Sequence, residues 1–326
     1  MTIHRRLTAA LLLVIGGLLA AMVAAIALGG PTPPVAMASI NDPFKSVKFE
    51  GLPPLLTFRA TDGQSLSYRT YSPQGDAKGS VTLVHGSSAS SESMHPLAKA
   101  LSDAGYRVFA LDVRGHGKSG SKGHIDYVGQ LELDMADFVH AVRPPQPSTL
   151  AGFSAGGGFV LRFAGSEYQP LFGSYLLLAP FIGQDAPNQR PHSGGWVNVG
   201  IPRFIGLSIL NGLGVRSFNH LPVAAFAVND QARSFLTPEY DFNLAMNFRP
   251  QRDYRSNIGR VTTPSAIVAG TADEAFHSDR LEEIVRSGGK EWPIDLVANI
   301  GHIPLTLDPA AIGVIVRRVQ ILQHGI

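Results

Sequence analysis

A serine with glycine two residues before it and two residues after it constrains the fold of this chain more than any other feature. Residues 152–156 read Gly-Phe-Ser-Ala-Gly. They follow a short apolar segment at 148–151, which predicts a buried strand, and precede residues 157–163, which can enter a helix. Small flanking residues let the backbone turn sharply, so the Ser154 hydroxyl is expected above the sheet at a helix N-terminus. The pattern predicts a nucleophile; an incidental serine in a glycine-rich turn is the alternative.

A nucleophilic serine needs a base to take its proton and a carboxylate to hold that base in the right tautomer. The apolar segment 265–270 predicts a strand, and Asp273 follows just past its carboxyl end, where open α/β sheets place functional groups. A later predicted strand, 294–298, leads in the same way to His302. We interpret Asp273 as the orienting carboxylate and His302 as the general base. Each residue taken alone is equally typical of a solvated loop.

The order of these residues along the chain, Ser154, Asp273, His302, is that of the α/β-hydrolases. From about residue 47 to the C-terminus the chain resembles their monoacylglycerol lipase, lysophospholipase and serine aminopeptidase-like group. The resemblance favours Asp273 over its neighbour Glu274, because Asp273 occupies the family's position.

The resemblance also implies an oxyanion hole. The predicted strand 81–84 ends in His85-Gly86, and in the family such a strand leads into a loop whose backbone amide forms half of the hole. Ser87 matches that position, and the amide of Ala155, directly after the nucleophile, would supply the other half. Losing one such donor typically costs on the order of 10² to 10³ in rate. A plain strand-ending turn is the alternative interpretation of His85-Gly86.

Residues 112–119 are similar to the D-x-R-G-H-G-x-S loop of these hydrolases, and we expect them to shape the loop beside the site. Two nucleotide-binding patterns overlap this loop, and both are incomplete. The glycines Gly115, Gly117 and Gly120 lack a clear following helix and an acidic partner at the expected distance. Asp112 stands where a P-loop needs its first glycine. A nucleotide-binding fold is therefore not expected.

Neither a cofactor nor a metal is expected. The chain has no cysteine and no H-E-x-x-H motif, and its remaining histidines lack the paired spacing of a zinc site. The formal net charge of +2, without a basic run interleaved with aromatics, makes nucleic acid an unexpected partner. The histidines left without a predicted role are His95, His116, His124, His140, His192, His220, His277 and His324.

The N-terminus carries the second informative feature. Residues 7–28 are 22 residues without a charge, preceded by Arg5-Arg6, and a bilayer core takes about 20 apolar residues. The positive flank is expected to stay in the cytoplasm, which sends the catalytic domain to the extracytoplasmic side. Ala36-Met37-Ala38 is an A-x-A site whose cleavage would release a secreted or periplasmic protein. We favour a retained membrane anchor, because the apolar run exceeds a signal peptide's core of about 7 to 15 residues; twin-arginine export is a weaker alternative.

Alternating predicted strands and helices indicate a mainly parallel sheet with helices on both faces, and the resemblance implies that this sheet is that of an α/β-hydrolase fold. With 326 residues, 44% of them hydrophobic, the chain can bury one large core and an accessory segment. The alternation stops between Phe181 and Val261, where the family carries its lid. The expected organisation is a transmembrane anchor or signal segment at 1–29, a linker at 30–45, a hydrolase core at 46–182 and 259–326, and a lid insertion at 183–258.

The predicted lid is rich in aromatic and aliphatic residues. Most are expected to pack the lid onto the core and some to line a pocket. On a domain held near a bilayer, such a lid favours a small-molecule or lipid ester as substrate. The expected function is a serine hydrolase that cleaves carboxylic esters through an acyl-enzyme. An acyltransferase or peptidase on the same scaffold, or a non-catalytic binding protein, are the alternatives.

Overall fold

The structure is a computed structural model that describes residues 2–37, 42, 47, 49–229 and 232–325. Its strands, in chain order, are β1 (Leu56–Arg59), β2 (Ser65–Tyr71), β3 (Ser80–Val84), β4 (Arg107–Leu111), β5 (Ser148–Phe153), β6 (Ser174–Leu178), β7 (Val197–Val199), β8 (Pro222–Phe226), β9 (Glu239–Asp241), β10 (Ser265–Gly270) and β11 (Ile294–Val297).

The α-helices alternate with these strands over most of the chain. They are α1 (Thr2–Leu28), α2 (His95–Asp103), α3 (Gln130–Val142), α4 (Ala155–Ala164), α5 (Ile201–Gly212), α6 (Phe242–Asn247), α7 (Tyr254–Arg260), α8 (Leu281–Ser287) and α9 (Pro309–His324).

Eight strands form one sheet in the order β1-β2-β4-β3-β5-β6-β10-β11. Strand β2 is antiparallel to both of its neighbours, β1 and β4. The other six strands of this sheet, β4, β3, β5, β6, β10 and β11, are parallel to one another. Strands β3, β5, β6 and β10 are buried at every position, as expected of parallel strands covered on both faces. Two groups of helices cover the sheet. In one, α2 contacts α9; in the other, α7 contacts both α4 and α8. The predicted α/β-hydrolase fold is confirmed.

Aspartate caps begin several helices that cover the sheet or the site. The Asp308 carboxylate accepts hydrogen bonds from the first free amides of α9, and Pro309 fits the first helical position. Asp241 and Asp253 cap α6 and α7 in the same way. Gly325 ends α9 with φ of 69°, a conformation that favours glycine.

The regular alternation stops after β6 and resumes at β10. Between them lie helices α5, α6 and α7 and a small antiparallel sheet in the order β7-β8-β9. We call residues 182–253 the lid segment. It packs over the carboxyl ends of the parallel strands, because its aromatic side chains share a cavity with the residues that follow β3, β5 and β10.

Helix α1 contains Leu7–Leu28, which by length and composition is able to cross a membrane. Its C-terminal end packs on α5 of the lid segment. A side chain added at Gly206 would collide with Ile26, and the Arg203 amide donates to the Gly29 carbonyl over 3.2 Å. The predicted cleavage position Ala38 lies outside the described residues, as do 39–41 and 43–45 of the predicted linker.

Candidate active site

The turn from β5 into α4 places Ser154 in a strained backbone conformation. Its φ of 57° and ψ of −118° are unusual for a residue with a side chain. The surrounding backbone holds it there: its amide donates to Leu178 over 2.9 Å, and its carbonyl accepts from Gly158 and Phe181, each at 3.0 Å. The strain is therefore overcome by hydrogen bonds to the next strand and the next loop.

The two flanking glycines are needed because backbones approach each other closely at this turn. A Cβ atom at Gly152 would collide with the carbonyl of Gly156, and one at Gly156 would collide with the carbonyls of His85 and Val84. The obstacles are backbone atoms, which cannot rotate away. The N-terminus of α4 can lie directly on β3 and β5 only if both positions lack side chains.

The structure brings Ser154, His302 and Asp273 together from three loops. The His302 Nε2 atom lies 3.0 Å from Ser154 Oγ, and Nδ1 lies 2.8 Å from Asp273 Oδ2. All three residues are buried, with exposed fractions of 8%, 3% and 3%. A carboxylate can only accept, so Nδ1 carries the proton and Nε2 is left to accept from the serine hydroxyl. This arrangement permits proton transfer from the hydroxyl to the imidazole.

The Asp273 carboxylate is itself held in place. Its Oδ1 atom accepts from the amides of Ala275 and Phe276 over 2.8 and 2.9 Å. Glu274, the adjacent rival, makes a different contact: its carboxylate accepts from the backbone amide of His302 over 2.9 Å. In this structure Asp273 therefore orients the ring, and Glu274 holds the loop that carries it.

The loop after β3 lies directly beside the nucleophile. A Cβ atom at Gly86 would come within 3.3 Å of the Cβ of Ser154. Among the described residues, nothing accepts a hydrogen bond from the backbone amides of Ser87 and Ala155. The Ser87 hydroxyl accepts from Trp196 Nε1 over 2.8 Å, which ties this loop to the lid segment.

Sequence reasoning missed a buried network that supports this loop. The Ser88 amide donates to the Tyr240 hydroxyl over 2.7 Å, and that hydroxyl lies 2.6 Å from His116 Nε2. His116 Nδ1 faces the Arg114 carbonyl at 3.3 Å, so Nδ1 carries the proton and Nε2 accepts from Tyr240. Burial lowers the pKa of His116 well below its ordinary value and raises that of Tyr240. His116 belongs to the recognised loop, whereas Tyr240, 124 residues later, carries no local signal.

The loop at 112–119 is held by charged side chains. The Asp112 carboxylate accepts from the amides of Ser91 and Lys118 over 2.8 and 2.9 Å. The Arg114 guanidinium pairs with Asp134 at 2.6 Å. These contacts agree with the expected role of shaping the loop beside the site.

A cavity of about 1450 Å³ opens onto Ser154 and His302. It exceeds the volume of about 300 to 1,000 Å³ of ordinary small-molecule pockets, so a long acyl chain has room beside the serine. Within the described part of the chain, no group of three or more His, Cys, Asp or Glu side chains is placed to hold a metal ion. The apolar wall is formed largely by aromatic and aliphatic residues, including Phe181, Trp196, Ile205, Phe226, Phe242 and Phe248.

Comparison with known proteins identifies the family. The family model described as serine aminopeptidase, S33, matches residues 75–305. A monoacylglycerol lipase of Mycolicibacterium smegmatis is 31% identical over 130 residues, covering 39% of this chain and 46% of that protein. Human monoglyceride lipase is 29% identical over 144 residues, covering 42% of this chain and 46% of that protein. The matched part of this chain thus spans slightly less than half of each relative.

Solved structures share the fold at lower sequence identity. A soluble variant of monoglyceride lipase from Saccharomyces cerevisiae, in complex with a substrate analogue, superimposes with a TM-score of 0.62 at 19% identity, covering 86% of this chain and 98% of that one. A membrane phospholipase A described as a novel bacterial virulence factor gives a TM-score of 0.56 at 16% identity, covering 100% and 99%. At these identities the likeness establishes the fold alone.

Proposed function

The chain belongs to the serine aminopeptidase S33 family of α/β-hydrolases, within its monoacylglycerol lipase-like group, and from that premise we propose that it is a serine hydrolase that cleaves carboxylic esters of hydrophobic or acyl-lipid substrates. The observation that carries the proposal is the hydrogen-bonded series from Asp273 through His302 to Ser154, at the base of a large apolar cavity.

The reaction proceeds through an acyl-enzyme. His302 takes the proton of the Ser154 hydroxyl as its oxygen attacks the ester carbonyl, and the resulting imidazolium is stabilised by Asp273. The amides of Ala155 and Ser87 hold the oxyanion. His302 then gives its proton to the departing alcohol, and a water molecule, activated by the same imidazole, releases the acid.

The cavity supports a hydrophobic acyl group as the substrate's larger part. Its wall is apolar around the serine, and apolar burial contributes about 0.8 kcal/mol for each buried methylene. Several of the sequence relatives are monoacylglycerol lipases by name, and an ester of one fatty acid and glycerol fits a cavity of this size and character.

We further propose that α1 remains attached as a membrane anchor, with the hydrolase on the extracytoplasmic side. The Arg203 guanidinium of α5 donates to the carbonyls of Ile26 and Ala27, at 2.7 and 3.0 Å, and so satisfies acceptors that the end of a helix leaves free. A segment removed after targeting needs no such contact with the folded domain. The contact therefore favours retention over cleavage near Ala38.

The packing direction of α5 brings the cavity to the bilayer surface. Gly29 contacts Pro202, and Ile26 contacts Gly206, so α5 runs antiparallel to α1. It follows the outer part of the proposed membrane span for roughly 10 Å. Ile201, Ile205 and Ile209 form an exposed row that also lines the cavity. A lipid ester in the outer leaflet thus lies next to the cavity entrance.

Labelling by a fluorophosphonate tests the proposal directly. The full chain in neutral detergent is expected to be labelled and to hydrolyse p-nitrophenyl esters, with longer acyl chains preferred over acetate. Ser154→Ala is expected to abolish labelling and nearly all turnover while folding normally. The exposed Ser287→Ala, at the end of α8, is the matched control and is expected to behave as wild type.

Substantial turnover by Ser154→Ala would contradict the assignment of the nucleophile. A strict preference for acetate or for aminoacyl substrates would contradict the acyl-lipid substrate. Product analysis with a competing alcohol or amine separates hydrolysis from acyl transfer.

A further inference from the structure

A cationic side chain that the proposed reaction does not use lies in the wall of the cavity. Arg249 follows α6 and lines the same cavity as Ser154 and His302. Its backbone packs against α4, since a Cβ atom at Gly158 would lie 3.5 Å from the Arg249 Cα atom. Gly158 is one helical turn after Ser154. Arg249 therefore lines the cavity from a backbone position one helical turn away from the nucleophile.

Arg249 has no anionic partner among the described residues. No carboxylate of that part of the chain lies within 4.0 Å of its guanidinium, and it makes no hydrogen bond there. The two arginines that are buried in the described part of the chain do have such partners: Arg162 pairs with Glu132 at 2.5 Å and Arg114 with Asp134 at 2.6 Å.

The surroundings make this charge costly. Burial, and after it the Arg162 guanidinium, lower the pKa of Arg249 from its ordinary value. Asp185, an exposed carboxylate that also lines the cavity, acts in the opposite direction, and the exposed Arg252 adds a second positive charge at the cavity wall. Arg249 is half-buried, and a charge partly withdrawn from water without a paired counter-charge is unfavourable until an opposite charge reaches it.

We propose that Arg249 binds an anionic group on the alcohol part of the substrate, and specifically the phosphate of an acyl glycerophospholipid such as a lysophospholipid. This inference rests on the proposed ester hydrolysis and names its substrate class. A guanidinium binds a phosphate through two parallel charge-assisted hydrogen bonds. In the proposed orientation the cavity entrance faces lipid, where phosphate is the anion that accompanies an acyl ester, a few bonds from the ester carbon.

The test compares two esters that differ only by the phosphate. The full chain in neutral detergent micelles is assayed with 1-palmitoyl glycerol and with its 3-phosphate, and the ratio of the two kcat/KM values is the readout. Wild type is expected to have the higher kcat/KM with the 3-phosphate ester. Arg249→Met is expected to lower that ratio by about 10- to 100-fold, and Arg249→Lys, which keeps the charge but loses the planar fork, by less.

Arg255→Met is the matched control, because Arg255 is an exposed cation on the next helix that packs over the Tyr254 ring and lies outside the cavity wall. It is expected to keep the wild-type ratio. The thermal unfolding midpoint and the rate of fluorophosphonate labelling show whether each variant is folded with an intact serine.

Equal ratios in wild type and folded Arg249→Met would overturn the inference and leave the proposed hydrolase standing. Absence of labelling and of hydrolysis of either ester by wild type would instead overturn the proposed function. Inorganic phosphate and glycerol 3-phosphate serve as competitors: protection of Ser154 by either one, with an unchanged substrate ratio, would assign Arg249 to a free anion and overturn its assignment to the lipid.

Discussion

At the scale of single residues, the site depends on which carboxylate reaches the imidazole of His302. Asp273 and Glu274 are neighbours in sequence and both contact His302, but through different atoms. The Asp273 carboxylate accepts a hydrogen bond from the ring Nδ1 of His302, and the Glu274 carboxylate accepts one from its backbone amide. Only the first contact sets the tautomer that leaves Nε2 free to accept a proton.

Replacing the two carboxylates separately tests this division. Asp273→Asn is expected to lower kcat by about 10⁴, since an amide that donates to Nδ1 favours the wrong tautomer. Glu274→Gln retains an acceptor for the backbone amide and is expected to lower kcat by less than about 10-fold. Steady-state hydrolysis of a p-nitrophenyl ester measures both. A Glu274→Gln variant as impaired as Asp273→Asn would show that the division of roles is wrong.

Protonation of His116 is expected to make the fold less stable in acid. Burial holds the pKa of His116 well below the ordinary 6.5, so in the unfolded chain it binds a proton near pH 6.5 while in the folded chain it stays neutral. Its contribution is therefore complete above pH 6.5 and is lost as the pH falls. His85, also buried with a lowered pKa, acts in the same direction.

Urea unfolding from pH 8 to pH 5 measures this contribution. His116→Gln, which cannot bind a proton, is expected to lose less free energy of unfolding over this range than wild type, with His85 and His95, whose pKa values are also lowered by burial, contributing to the remaining slope. The exposed His220→Gln is expected to keep the wild-type slope. The same slope in His116→Gln and wild type would contradict the buried neutral histidine.

At the scale of elements, the contact of α4 with β3 and β5 makes the elbow possible. The helix begins at Ala155, directly after the strained serine, and its first turn lies against the carbonyls that end β3. The strand and helix are both predictable from local pattern, because an apolar run and a helix-forming run flank the glycines. Their close approach explains why both flanking positions are glycine.

A methyl group at Gly156 is expected to disturb this contact. Gly156→Ala would push α4 away from β3, and we expect it to lower the free energy of unfolding by about 1 to 3 kcal/mol and to slow fluorophosphonate labelling. Gly313→Ala in α9 is the control: nothing lies within 4 Å of its added Cβ, so a gain of up to about 1 kcal/mol is expected from helix propensity. Urea denaturation measures both, and equal stability of Gly156→Ala and wild type would contradict the packing argument.

At the scale of the whole molecule, α1 and the lid segment form one apolar surface beside the cavity. The row that begins with Ile201, Ile205 and Ile209 continues at four-residue spacing to Leu213, which is 72% exposed and lies outside the cavity wall. In the proposed orientation Leu213 enters the outer part of the bilayer. Its role is then to hold the entrance at the lipid surface.

Leu213→Ser is therefore expected to weaken action on membrane-bound esters only. We expect hydrolysis of a monoacylglycerol in phospholipid vesicles to fall about 10-fold, because an apolar side chain of this size contributes about 1.5 to 3 kcal/mol when buried, while hydrolysis of a water-soluble short-chain ester is retained. Leu296→Ser, on the edge strand β11 and 47% exposed, is the matched control for a surface leucine. An equal loss on both esters would contradict the membrane-facing role.

Local sequence patterns are enough to predict the β/α alternation, the serine elbow, the candidate acid and base that follow later strands, and the apolar span. These features are encoded in short windows by hydrophobic period, by glycine spacing and by strand ends, so no knowledge of distant contacts is needed. The packing of the folded chain sets three contacts that no local pattern encodes: Glu274 accepts from the backbone amide of His302, Tyr240 accepts from the amide of Ser88, and Arg249 lines the cavity. Such pairs depend on the paths of long loops and on the packing of the lid segment, where the alternation that guides prediction is absent.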